Sequence, residues 1–89
     1  MSHTDSVKYF AEKKKAYWAI DVVNSYFPKL SRYDFLVLTF DVKGKSCRFE
    51  AREDTGSPVI VKQNITYTDL DQSVKMYLSN GVLMFPSDY

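Results

Sequence analysis

Residues 33–53 read YDFLVLTFDVKGKSCRFEARE, and the fold turns on how this stretch is paired. Tyr33 to Val42 alternates in the manner of a half-buried strand. Leu36, Leu38 and Phe40 form one face, and Phe35, Val37, Thr39 and Asp41 form the other. Lys45 to Glu53 alternates as well, with Cys47, Phe49 and Ala51 set against Ser46, Arg48, Glu50 and Arg52. Gly44 marks the turn between the two runs. Setting Leu38 opposite Phe49, Phe40 opposite Cys47 and Leu36 opposite Ala51 puts all six on one face, as cross-strand pairing requires. A two- or four-residue loop around Lys43-Gly44 allows this register. A three-residue loop would put Leu38 against Arg48 and destroy the face.

Asp54-Thr55-Gly56 fits a three-residue hairpin with Gly56 in the left-handed position. It sets Ala51 opposite Val59, Phe49 opposite Val61 and Cys47 opposite Gln63. The third strand begins near Pro58, with Val59, Val61, Ile65 and Tyr67 inward. Gln63 interrupts that set, so a bulge or an exposed end is expected there. Before the hairpin, residues 5–27 read as one helix. Thr4, Asp5 or Ser6 caps it, and Pro28 ends it by forcing Phe27 out of helical angles. It carries two apolar stripes, Tyr9-Ala16-Ile20-Val23-Phe27 and Val7-Ala11-Trp18-Val22, so it is expected to be covered on two sides. After the third strand, Thr68 and the acids Asp69 and Asp71 read as a helix start. Leu70, Val74, Tyr77 and Leu78 form its stripe, and Asn80-Gly81 its end. Val82 to Phe85 is a last strand or a docked tail. The expected fold is a single α+β domain over 1–89. Its order is an N-terminal helix, a three-stranded antiparallel meander, a second helix and a short C-terminal strand or tail, in a two-layer α/β sandwich. Residues 1–4 are expected to fray and 87–89 to form a tail.

Counts exclude much of chemistry. The chain has 89 residues, one Cys and one His. Cys47 alone closes no disulfide and no thiolate zinc site, and it reads as a reduced, buried thiol. His3 lies in a polar stub that cannot place a catalytic imidazole. No apolar run approaches the roughly 20 residues needed to cross a bilayer. The first residues lack an apolar signal core, so a cytoplasmic protein is expected. The three glycines lie too far apart for a phosphate loop, and Asn64-Ile65-Thr66 reads as a chance sequon. Glu50, Glu53 and Asp54 form no paired acid–base site. No enzyme activity, cofactor, metal or small-molecule substrate is expected.

Rings supply the positive signal. Aromatics make up 16% of the chain, more than one small core needs. Phe10, Tyr17 and Trp18 on the first helix are expected to form a contact surface, with Phe35, Val37, Arg48, Arg52 and Ile60 on the outer sheet face. The expected function is a small non-enzymatic protein-binding module of bacterial or phage origin: an inhibitor, an immunity or antitoxin-like factor, or an adaptor. Self-association into a homodimer is expected through the surplus rings. The alternative is nucleic-acid binding through Lys8, Lys13, Lys14 and Lys15, since the first 32 residues carry a net +3. Helix, three strands, helix also resembles the element order of double-stranded-RNA-binding domains. Those domains set lysines at the start of the second helix, where this chain has Asp69 and Asp71, so the likeness stops at topology.

Overall fold

The computed structural model describes residues 1–66, 68 and 70–89. It overturns the expected fold class. Six strands form one mixed sheet in the order β1-β6-β5-β2-β3-β4, and two helices lie against one face. The elements are β1 (Ser2–His3), α1 (Asp5–Lys14), α2 (Tyr17–Leu30), β2 (Phe35–Lys43), β3 (Ser46–Arg52), β4 (Val59–Ile65), β5 (Val74–Ser79) and β6 (Val82–Met84), followed by a 3₁₀ turn at Pro86–Asp88. Strands β2, β3 and β4 run as a meander. β5 then returns beside β2, which makes the four a Greek key. β6 follows β5 by a hairpin, and β1 adds in parallel at the edge. Residues 1–4, expected to fray, thus hold a strand and a helix cap.

The hairpin register is two residues away from the expected one. Leu38 faces Ala51, Phe40 faces Phe49 and Val42 faces Cys47, closed by the two-residue turn Gly44-Lys45. A shift of two preserves every side chain's face, so face patterning alone does not distinguish the two registers. Turn chemistry does, because Gly44 takes φ +62° at the first turn position. On the other side Ala51 faces Val61 and Arg52 faces Val59, with a register shift between them. The irregularity therefore lies at Ile60 rather than at Gln63. Gln63 faces the core side, where its Oε1 accepts from the Tyr26 hydroxyl at 2.8 Å.

No second helix forms at 68–80. Val74, Met76 and Leu78 also alternate, and as β5 they pair with Phe40, Leu38 and Leu36. The competing pattern wins because β2 is nine residues long and buries Leu36, Leu38 and Phe40 on its inner face. An unpaired second edge there would leave a row of buried backbone groups without partners. Asn80-Gly81 is a hairpin turn instead of a helix end: both residues have positive φ, +50° and +80°, as the tightest hairpin turn demands. The crossover from β4 to β5 is pinned beneath the β2–β3 turn. Thr68 N–H donates to the Lys45 carbonyl at 2.8 Å and Val42 N–H to Ser73 Oγ at 2.9 Å. The expected roles of Tyr67 and Asp69 lie outside the described residues.

The long N-terminal helix is broken. Lys15 adopts φ +55°, and Ala16 N–H reaches the Ala11 carbonyl at 2.8 Å, the six-to-one bond of a Schellman motif. The break reorients the two stripes without dividing them between the helices. From one, α1 buries Val7 and Ala11 and α2 packs Trp18 and Val22; from the other, α2 buries Val23 and packs Ile20 and Phe27. α2 also buries Ala19 and Leu30, which belong to neither stripe. Pro28 does not end α2. The helix runs on to Leu30, whose complete burial holds the last turn.

Both chain ends meet at Asp88. Thr4 Oγ1 donates to its Oδ2 and Ser6 Oγ to its Oδ1, each at 2.9 Å. Phe85 N–H donates to Oδ2 at 3.0 Å. The Phe85 N–H first, then the Thr4 and Ser6 hydroxyls, hold the Asp88 carboxyl below the usual carboxylate range against a small opposing effect of desolvation. The ionised form is the one favoured by folding. Its contribution is present above the unfolded carboxylate range and is lost as pH falls through the depressed value. Urea midpoints measured across the acid range should therefore fall less steeply in Asp88→Asn than in the parent. Gly81→Ala should destabilise by about 1–2 kcal/mol, the cost of placing a side chain in the left-handed region. An added Cβ would meet Phe27 at an ordinary 3.5 Å, so strain rather than collision sets the loss in chemical denaturation.

Candidate protein-contact face

Alternation along the strands gives the sheet two unlike faces. The inner face supplies Leu36, Leu38, Phe40, Phe49, Ala51, Val61, Met76, Leu78 and Leu83 to the core beneath the helices. The opposite face carries no helix. Cross-strand pairing orders it into rows. One row runs Met84, Tyr77, Val37, Arg52, Val59. The next runs Lys75, Thr39, Glu50, Lys62, and then come Asp41, Arg48 and Asn64. Phe35 lies beyond the first row, so the apolar groups gather at the start of β2 and the charges toward the β2–β3 turn.

Three rings close the apolar end. Phe35 packs on Tyr77 with centroids 4.9 Å apart, and Tyr89 reaches over both at 5.3 and 5.7 Å. Val82–Met84 pairs in the sheet, and only the turn that follows brings Tyr89 onto this face. Lys75 Nζ lies 5.9 Å from the Tyr77 ring centre. Tyr89 remains 76% exposed.

Glu50 organises the charged end. It accepts from Arg52 Nη2 at 2.6 Å and from Arg48 Nε at 3.1 Å. Strand spacing makes this possible, since residues two apart share a face. The Glu50 side chain is 15% exposed, so the arrangement is partly withdrawn from water. Arg52 Nε is buried and has no hydrogen-bond partner among the described residues. Two clefts flank Glu50. One, of about 470 Å³, lies toward the turn beside Arg48, Asn64 and Thr66. The other, of about 160 Å³, lies between Val37, Thr39, Asp41, Arg52, Thr55 and Lys75.

The expected site residues separate into groups. Phe35, Val37, Arg48 and Arg52 share the open face, though Val37 is buried there among its neighbours. Ile60 does not join them, because the register shift beside Ala51 and Arg52 leaves it packed against the core. Trp18 and Phe10 are also half-buried core partners: Trp18 meets Phe40 edge-on at 5.9 Å and Phe10 meets Phe85 at 5.4 Å. Tyr17 stays 48% exposed, its hydroxyl pushed above the ordinary range by desolvation and by Glu12. Lys8, Lys13, Lys14 and Lys15 are exposed on α1 and its end. Lys13 Nζ bonds the Tyr9 hydroxyl at 3.3 Å. Tyr77, Met84 and Tyr89 went unnoticed in the sequence because 68–80 reads as a helix and 82–89 as a tail. Reading Asn80-Gly81 as a hairpin turn would have placed Tyr77 beside Met84.

Chemistry is sparse elsewhere. Among the described residues no three His, Cys, Asp or Glu side chains gather to hold a metal. No described helix is long and apolar enough to cross a membrane. Burial, and then the charge of Asp41, push the Cys47 thiol up, so it is protonated at neutral pH. A disulfide reagent should label Cys47 in denaturant within seconds and in the native protein only as slowly as the sheet opens. Comparison with known proteins gives one match: a "Family of unknown function (DUF6876)" aligns with residues 1–89. No curated protein and no solved structure matches the chain.

Proposed function

The chain belongs to that family of unknown function, and from its geometry we propose that it is a non-enzymatic protein-binding module of the cytosol. Its contact surface is the open sheet face, and its role is that of an inhibitor or adaptor. One observation carries this reading. A ring cluster of Phe35, Tyr77 and Tyr89 stands next to an Arg-Glu-Arg set on a face that no helix covers. Aromatic and arginine side chains side by side are the composition enriched where proteins meet. Glu50 and Asp41 stand where a phosphate backbone would pass, so this face suits a protein better than a nucleic acid.

The test is photo-crosslinking in the native cell, with a benzophenone amino acid at position 75 or 89 on the open face and at position 14 on α1. The expected result is a nuclease-resistant protein adduct from 75 and 89 and none from 14. An adduct from position 14 alone, lost on nuclease treatment, would replace this reading with nucleic-acid binding by the α1 lysines.

A further inference from the structure

The charges of the open face specify the chemistry of what docks there. Its strand residues include five cations, Lys43, Arg48, Arg52, Lys62 and Lys75, against Asp41 and Glu50, a net +3. The whole chain is only +1, so the remaining surface carries −2. Residues 1–32, which hold both helices, also carry a net +3, so the open face is one of two positive regions. A second copy laid face to face would bring +3 against +3, which opposes the homodimer expected from surplus rings.

The donors are also incompletely used. Glu50 takes one nitrogen from each of two guanidiniums, yet a guanidinium has five N–H groups. Among the described residues, Arg52 Nε has none of its hydrogen bonding satisfied although it is shut from water. Native proteins seldom leave such a donor alone. It borders the smaller cleft, whose rim adds Lys75 and Thr55. Thr39, Asp41 and Glu50 complete the lining, so an acceptor reaching Arg52 Nε in this cleft of about 160 Å³ sits among two cations, two carboxylates and two hydroxyls.

We infer that the partner is an acidic protein segment, which inserts an Asp or Glu carboxylate into the cleft between Arg52 and Lys75 while apolar side chains cover Tyr77 and Tyr89. This rests on the open face being the docking surface. A small turn of the Arg52 guanidinium gives Nε its missing acceptor without taking Glu50 from Arg48. The carboxylate is a discrete charge that fits between Asp41 and Glu50, where a continuous run of phosphates would not.

The experiment titrates the ¹⁵N-labelled full chain with poly-L-glutamate and, separately, with oligodeoxythymidylate. Poly-L-glutamate should shift the Arg48 and Arg52 Nε–H signals and the Thr39, Glu50 and Lys75 amides, less so at high salt. Arg52→Glu should weaken it about tenfold or more. Lys75→Glu, an exposed position, gives the same reading should Arg52→Glu disturb folding. Shifts confined to Lys8 and Lys13–Lys15, no shifts at all, or equal shifts of the open face by the oligonucleotide would overturn the inference. Adducts from position 89 that persist in Lys75→Glu cells would keep the docking surface and discard the acidic partner.

Discussion

β2 bears the structure. Its nine residues present Leu36, Leu38 and Phe40 to the helices and pair along both edges, with β3 on one side and β5 on the other. A strand so apolar on its inner face cannot lie at the rim of a sheet without exposing both side chains and backbone to water. The chain therefore has to bring a second neighbour to it from a distance. That requirement generates the Greek key, the crossover beneath the β2–β3 turn and the tight hairpin that sends β6 back beside β5. Trp18 edge-on to Phe40, and Tyr26 stacked on Phe49 at 6.0 Å, fix where the helix layer lies over this strand and its neighbour.

Closure of the termini follows from the same arrangement. β6 ends the antiparallel run, and the first residues of the chain pair with it before α1 begins. Thr4 then serves two partners at once, accepting from Val7 N–H at the start of α1 and donating to Asp88 after β6. The break at Lys15 completes the packing. α1 can turn its Val7-Ala11 side to the core only because α2 starts afresh with another orientation. The left-handed lysine, strained relative to glycine, persists because both helices bury apolar side chains.

Covering one face leaves the other to carry specificity. Among the described residues the buried core cluster has 14 members, ten of them on strands beneath the two helices, and the same strands carry alternate side chains on their outer side. There the pattern is segregated: rings at the start of β2, charge toward the turn. A face built only for solvent has no physical reason to gather Phe35, Tyr77 and Tyr89 in one place and to hold Glu50 between two guanidiniums beside a donor without an acceptor. An interaction surface has such a reason.

Local alternation determined the β2–β3 hairpin, the face on which each of its residues lies, and the third strand's place after Gly56. Composition determined only that the chain has one Cys and one His to offer metal- or thiol-based chemistry. Residues 68–80 were ambiguous, since Val74, Tyr77 and Leu78 satisfy a helical spacing while Val74, Met76 and Leu78 satisfy alternation. Only the empty edge of β2, a partner 34 to 44 residues away in the chain, settles it. The same applies to the break between α1 and α2, which neither stripe before Pro28 marks. Phe35, Val37, Arg48 and Arg52 could be grouped from the strands that carry them. Their neighbours Tyr77, Met84 and Tyr89 could not, because a sequence fixes the periodicity of a segment, whereas non-local pairing decides which periodicity is used.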